Sequence, residues 1–194
     1  MTQVIKGVGD LNLEPEAILQ RPELAAMIAA IAARWTRVEG SLAELFVALL
    51  PKEASAALAI YLEMFDQNVR KIAFDAIAKE RLASDSFEGF QRLFNKIRKK
   101  SKERNRFIHG FWVISESHKD GLLLIDQKEW HRADFSYKIS KFSSLEHKMD
   151  WVRKNMAESE LTKYTADDLR ETLDRIRRLE DKVFEFRSAA RFVR

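Results

Sequence analysis

The sequence predicts a mainly α-helical protein: an antiparallel bundle of four or five helices with a small antiparallel β insertion. Three observations lead to this fold class. The chain of 194 residues contains only 6 glycines and 3 prolines, so it has few breaks between elements. Apolar residues recur at helical spacing through most of its length. The spacing changes to short apolar runs only at about 111–142, where we place the insertion.

The composition indicates one globular domain that covers residues 1–194. Hydrophobic residues make up 46% of the chain and charged residues 33%, which is typical of a protein that buries a core. The lack of cysteine excludes disulfides, thiolate nucleophiles and Cys-based zinc sites. The N-terminus has no long apolar segment of the signal-peptide type, and no run approaches the length of a membrane span. We therefore expect a cytoplasmic protein with no membrane partner.

Two long helices are predicted after an irregular lead-in of about 20 residues. Pro22 suits the first turn of a helix, and Pro51 ends that helix. Between them apolar residues follow a heptad pattern: Ile28, Ile31, Trp35, Val38, Leu42, Leu45 and Leu49. Gly40 interrupts this helix at a modest cost, or it admits a close neighbour. The next helix covers about 53–82 and is antiparallel to the first. Its apolar stripe runs through Leu58, Leu62, Phe65, Val69, Ile72 and either Phe74 or Ala76.

A third helix is predicted from about Asp85 to His109, followed by the β insertion. The apolar face of this helix continues to Ile108, and Gly110 is expected as its C′ cap. The runs 111–114 and 122–125 are β-like and are separated by a turn that contains Asp-Gly. The alternating run 135–139 is predicted as a third strand of a meander.

The remainder of the chain is predicted to be helical. Helical spacing returns at Leu145, Met149, Val152 and Met156. Thr165 and Asp168 form a capping pair at the start of a long final helix. The apolar stripe of that helix passes through Leu169, Leu173, Ile176, Leu179, Val183, Phe186 and Ala190.

Positive charge is concentrated at the end of the third predicted helix. Residues 91–109 hold eight basic side chains and a single acid, a net charge of +7 (eight minus one). Because the whole chain has a net charge of only +4, the rest of it is negative. A positive field focused in this way suits a polyanion such as nucleic acid. The alternative is a solvated Lys/Arg face on a surface helix.

The same segment contains Arg104, Asn105 and His109 in the order Arg-Asn-x-x-x-His, within the run Glu103-Arg-Asn-Arg-Phe-Ile-His-Gly-Phe-Trp112. This pattern resembles the R-x(4–6)-H signature of the HEPN superfamily (higher eukaryote and prokaryote nucleotide-binding domains). A polar residue commonly follows the arginine in that family. The resemblance covers the bundle from about Pro22 to Gly110 and the final helix.

The resemblance implies a HEPN-like helical bundle. It also implies a metal-independent endoribonuclease whose paired motifs meet at a homodimer interface, with Arg104, Asn105 and His109 as catalytic residues and no cofactor. Such a protein is a candidate toxin or phage-defence effector with an antitoxin or regulatory protein as a partner. Some HEPN toxins carry a tyrosine two residues after the histidine. Phe111 stands there in this chain, which puts control by nucleotide modification in doubt.

Helix geometry constrains how these residues meet. At 100° per residue, Arg104 lies within about 20° of Ile97, in line with the apolar stripe, and about 140° from His109. One straight helix therefore does not bring arginine and histidine together. Either the arginine stem reaches round, the last turn distorts, or a second copy of the helix completes the site. Arg104 in a buried salt bridge, or His109 as an ordinary helix-end residue, would be the purely structural alternatives.

The residue types suit metal-free RNA cleavage, in which the 2′-OH attacks the adjacent phosphate. Histidine titrates near neutral pH and serves as base or acid. Arg104 clamps phosphate, and Asn105 orients the histidine or the phosphate. Too few carboxylates lie near the motif for a two-metal nuclease, so we expect no metal. Three further cations are expected to bind the RNA substrate: Arg98, Lys102 and Arg106.

Two other functions stay open. A non-catalytic HEPN-like module would bind RNA, a nucleotide or a partner protein through the same basic cleft. A phosphotransfer bundle would use His109 as its phosphoacceptor, although this histidine stands at a helix end and lacks the usual following lysine.

Overall fold

The computed structural model describes residues 2–139, 147, 150–151, 154 and 160–192. It is mainly helical, with a small antiparallel five-stranded sheet. The α-helices are α1 (Pro22–Leu49), α2 (Ala54–Glu63), α3 (Gln67–Arg81), α4 (Ser84–His109), α5 (Gln127–Ile139) and α6 (Ala166–Ala189). The strands are β1 (Gln3–Ile5), β2 (Leu11–Asn12), β3 (Phe111–Ser115), β4 (Gly121–Ile125) and β5 (Leu161–Thr165). Short 3-10 helices cover Pro15–Gln20, Pro51–Glu53 and Glu116–His118.

Contacts divide the chain into two compact units. Met1–Ala32 and Glu103–Leu173 form one unit, which contains the strands and is called the sheet unit below. Ala33–Lys102 and Asp174–Arg194 form the other, called the helical unit. Because the boundaries fall inside α1, α4 and α6, each of these helices contributes residues to both units.

The sheet has the strand order β1-β5-β4-β3-β2, with antiparallel neighbours. All five residues of β4 are buried, as expected for a continuous apolar run in the centre of a covered sheet. Val113 pairs with Leu123, and Leu123 pairs with Lys163 on the other side. The core on this sheet contains Ile5, Val8, Leu11, Leu13, Val113, Leu123, Ile125 and Leu161.

The predicted β insertion is confirmed at two strands and wrong elsewhere. β3 and β4 coincide with the apolar runs at 111–114 and 122–125. The expected third strand at 135–139 is instead the end of α5, which begins after Asp126; the Asp126 carboxylate accepts a hydrogen bond from the Lys128 amide at 3.0 Å. The third strand of the antiparallel ladder is β5, and the predicted lead-in supplies β1 and β2. The expected helical positions Leu145, Met149, Val152 and Met156 lie outside the described residues.

The helical unit is built around a cluster of aromatic rings. Phe74 lies at its centre, with its ring centroid 5.0 Å from Phe46, 4.9 Å from Phe94 and 5.9 Å from Phe90. Tyr61 contacts Phe46 and Phe74 from α2. Separations of this size, with tilted or edge-to-face rings, are favourable for aromatic pairs.

The predicted second helix is two helices. α2 ends at Glu63, and Asp66 begins α3 as an N-cap: its carboxylate accepts hydrogen bonds from the amides of Asn68 at 2.7 Å and Val69 at 2.9 Å. Five side chains expected in its buried stripe are exposed, Phe65 by 82% and Ile72 by 69%, together with Leu58, Leu62 and Val69. Phe74, which was predicted as a possible last member of the stripe, is buried, as are Ala57, Tyr61 and Ala78, which were not predicted.

The predicted bounds of the other long helices are confirmed. α1, α4 and α6 have nearly the expected bounds, and the heptad residues of α1 from Ile31 to Leu49 are buried. Thr165 and Asp168 cap α6 reciprocally, because the side-chain oxygen of each accepts a hydrogen bond from the backbone amide of the other. Among the described residues, no single helix combines the length and apolar composition of a membrane span. Pro22–Leu49 and Pro51–Glu63 have the length and apolar composition of a span only when taken together, and this pair is bent by 110°.

Gly110 differs from the expected C′ cap. Its φ is not positive, so a left-handed conformation does not explain the glycine. Its amide donates to the carbonyl of Arg106 at 2.9 Å, which completes the last turn of α4. A Cβ at this position would overlap the side chain of Leu124, so close approach of α4 to β4 requires glycine here.

Candidate functional site

The three predicted catalytic residues lie in the last turns of α4, within the sheet unit. Arg104 and Asn105 are both half-buried and are joined directly: Nη1 of Arg104 donates to Oδ1 of Asn105 at 3.0 Å. Nε of Arg104 is buried and has no hydrogen-bond partner in the described part of the chain. A buried guanidinium N–H without an acceptor is costly to the folded chain.

His109 is exposed in the last turn of α4. The cause is the burial of Phe107, whose ring packs 4.9 Å from Tyr164 and 5.5 Å from Trp112. The Trp112 indole N–H also donates to the carbonyl of Phe107 at 2.9 Å, which fixes this turn. His109 lies two residues after Phe107 and about 200° from it round the helix axis, so His109 faces away from the core.

The burial of Phe107 corrects the expected end of the apolar stripe. The prediction carried the stripe to Ile108, but Phe107 is 1% exposed and Ile108 is 39% exposed. Within one chain, the structure brings Arg104 and Asn105 together, and no hydrogen bond joins His109 to either of them in the described residues.

Arg106, predicted to bind substrate, has partners within the sheet unit. Its Nη2 donates to Oγ1 of Thr162 at 3.2 Å, and its Nε lies 3.7 Å from a carboxylate oxygen of Asp126. It lines a cavity of about 770 Å³ that also contains acidic side chains, Glu129 and Glu160. Arg106 is thus partly neutralised by the chain itself.

The other two predicted substrate-binding residues, Arg98 and Lys102, belong to the helical unit and are exposed. Arg98 borders a small cavity of about 70 Å³ between aromatic side chains and Arg70, whose guanidinium lies 4.8 Å above the Tyr61 ring. Burial raises the pKa of Tyr61 above its ordinary value; Arg70 opposes this shift and Glu39 reinforces it.

A second basic surface was not predicted from the sequence. In the helical unit, a groove of about 210 Å³ between α4 and α6 is lined by six cations and one leucine: Lys96, Lys99, Lys100, Arg175, Arg178, Lys182 and Leu179. We call it the α4–α6 groove. The available signal was the spacing of Arg175, Arg178 and Lys182 at i, i+3 and i+7, which places them on one face of α6.

No metal-binding cluster is present in the described ranges: no three His, Asp or Glu side chains stand close enough together to hold an ion. The chain has no cysteine. A comparison of the chain with protein-family models, with curated proteins and with solved structures gives no match. The resemblance to HEPN proteins rests on the motif in the sequence alone.

Proposed function

We propose that the protein is a metal-independent endoribonuclease whose composite Arg/His site is formed by two copies of the chain. The observation that carries the proposal is the arrangement of the motif on α4. Arg104 is held by Asn105, while His109 is exposed and shares no hydrogen bond with Arg104 in the described part of the chain. A second copy of the chain would place its His109 and Arg104 at the same site, so that arginine and histidine of different chains face one substrate. The four- or five-helix HEPN-like bundle, as a single domain, is part of the same proposal.

Each residue has a role that its environment supports. His109, open to solvent, takes the proton of the attacking 2′-OH or protonates the leaving 5′-oxygen, and two copies provide one base and one acid. Arg104 stabilises the charge that develops on the phosphate oxygens. Asn105 is a positioning residue, because its amide oxygen fixes the direction of the Arg104 guanidinium.

The test is cleavage of unmodified RNA by the purified chain in EDTA. His109→Ala and Arg104→Ala should each lower the rate by a factor of about 10² or more. His131→Ala, an exposed histidine on α5, is the matched control and should cleave at the original rate. Cleavage that survives His109→Ala, or a chain that is monomeric at the assay concentration by light scattering, would remove the proposal.

A non-catalytic RNA-binding module is the second candidate. It is favoured by the α4–α6 groove, whose lining contains cations and no carboxylate. On this alternative the chain binds RNA but leaves it intact, and His109→Ala changes neither RNA binding nor RNA cleavage. For the toxin form of the first proposal, expression should arrest growth, His109→Ala should relieve the arrest, and an antitoxin should bind the chain.

A further inference from the structure

We propose that the α4–α6 groove binds the phosphodiester backbone of RNA. The identity of the ligand rests on the proposed function, but the site itself does not involve His109 or any chemical step. The groove lies wholly in the helical unit, between residues of α4 before Lys102 and residues of α6 after Asp174.

The arrangement of charge is the first argument. Lys96, Lys99 and Lys100 lie at i, i+3 and i+4 on α4, so they form one cationic row opposite the row on α6. Like charges that face each other across a groove repel, which costs stability unless an anion lies between them. No ion pair in the described ranges neutralises Lys96, Lys99, Arg178 or Lys182.

Two carboxylates of α6 have partners outside the groove. Glu180 lies 2.9 Å from Nε of Arg34 and 2.9 Å from Nε of Arg37, both on α1. Asp174 pairs with Arg177 on its own helix at 3.5 Å. Neither acid lines the groove. The positive charge of Lys96, Lys99, Arg178 and Lys182 is therefore left for a ligand.

The lining also indicates which part of a nucleic acid would bind. It contains neither an aromatic ring to stack on a base nor an amide side chain to read a base edge. Lysine and arginine over the apolar Leu179 floor suit phosphate oxygens and carry no sequence information.

The length of the cationic row sets how much of a strand it contacts. The row from Arg175 to Lys182 spans about 10 Å at 1.5 Å per residue, so it contacts a short stretch of backbone.

The experiment measures binding of a labelled 12-nucleotide uridine oligomer that carries 2′-O-methyl groups throughout. This probe cannot be cleaved by 2′-OH attack, so binding is read independently of nuclease activity. The variant Lys99→Gln/Arg178→Gln/Lys182→Gln removes three groove cations. The matched control Lys52→Gln/Lys79→Gln/Arg81→Gln removes three exposed cations of the same unit that lie outside the groove.

The groove variant should bind at least tenfold more weakly, and the slope of log K against log salt should fall by about 2, or about 0.7 for each lost contact. The control should change binding less than twofold. The charge-retaining Lys99→Arg/Lys182→Arg should bind like the original chain. Circular dichroism confirms that each variant is folded.

Equal binding by the groove variant and the control would overturn the proposal. The proposal would also fail if poly-glutamate displaced the oligomer as effectively as unlabelled RNA does, with both competitors compared at equal concentration of negative charge. The groove would then be a surface for acidic protein segments. Loss of cleavage in His109→Ala without loss of oligomer binding supports the groove. A chain that never cleaves RNA but binds the oligomer through the groove would refute the nuclease alone.

Discussion

Gly110 packs directly against Leu124. A Cβ on Gly110 would overlap Cδ1 of Leu124 and would lie 3.1 Å from the carbonyl oxygen of Ile125. The end of α4 and the strand β4 are thus in contact through a glycine that adjoins His109, so the position of this histidine depends on the sheet. Gly40, in the middle of α1, has open space where its Cβ would be.

These two glycines predict opposite effects of the same substitution. Gly110→Ala should lower the free energy of unfolding by about 1–3 kcal/mol, since the added methyl group must displace backbone or a buried leucine. Gly40→Ala should raise it by about 0.5–1 kcal/mol, because alanine has the higher helix propensity and meets no clash. Urea unfolding of both variants measures the difference. Shifts of the same sign would contradict the contact between Gly110 and β4.

The exposed face of α3 gives a second prediction. Phe74→Ala should cost about 3–5 kcal/mol, because the ring lies at the centre of the aromatic cluster. Ile72→Ala, two residues earlier and 69% exposed, should change the unfolding free energy by less than about 0.5 kcal/mol. If Ile72→Ala costs as much as Phe74→Ala in a monomeric sample, Ile72 is buried as the sequence predicted, contrary to its exposure in the structure.

The features that the sequence predicted correctly are local. The heptad of α1 and the Thr165–Asp168 cap each depend on residues within a few turns of one another, so spacing alone reveals them. Pairing of Gln3 with Lys163 joins residues at opposite ends of the chain in strands too short to show alternation. The break before α3 depends on one N-cap residue, Asp66, inside an uninterrupted apolar pattern.

In the candidate site, too, the local features follow from the sequence and the long-range contacts do not. The placement of Arg104, Asn105 and His109 on one helix follows from the sequence, as does the angle between arginine and histidine. The pairing of Arg106 with Asp126 depends on a residue beyond the next two strands. The α4–α6 groove needs the packing of two helices about 80 residues apart, whereas the charge count drew attention to α4 alone.

Arg21 supplies a third prediction. Its guanidinium donates to the carbonyls of Ser115 at 3.2 Å and of His118 and Gly121 at 3.3 Å, and it also contacts the Lys119 carbonyl. These bonds gather the β3–β4 connection around one side chain. Arg21→Ala should lower the unfolding free energy by on the order of 2 kcal/mol, since several carbonyls lose their donor together. Arg21→Lys should recover only part of this, because an ammonium cannot match the guanidinium fork.

Asp10 predicts a defined dependence of stability on pH. Burial alone would raise the pKa of Asp10. Three hydrogen bonds to its carboxylate outweigh this effect: one from the Ser115 hydroxyl at 2.7 Å, one from the Ser117 amide at 2.8 Å and one from the Ser117 hydroxyl at 2.9 Å. The net result lowers the pKa from an ordinary 3.8 to about 2. A carboxyl group whose pKa is lower in the folded state contributes stability that is complete above the unfolded pKa. That contribution is lost as the pH falls through the folded pKa.

Asp10→Asn should therefore be less stable than the original chain at pH 7, by on the order of 1 kcal/mol, and the gap should close between about pH 4 and pH 2. A double-mutant cycle with Ser115→Ala isolates the interaction between the two side chains. The coupling energy from urea unfolding should be largest at pH 7 and much smaller at pH 2, where about half of the folded-state carboxyl groups are protonated. A coupling energy that does not change over this range would mean that the hydrogen bond holds without the charge, contrary to the lowered pKa.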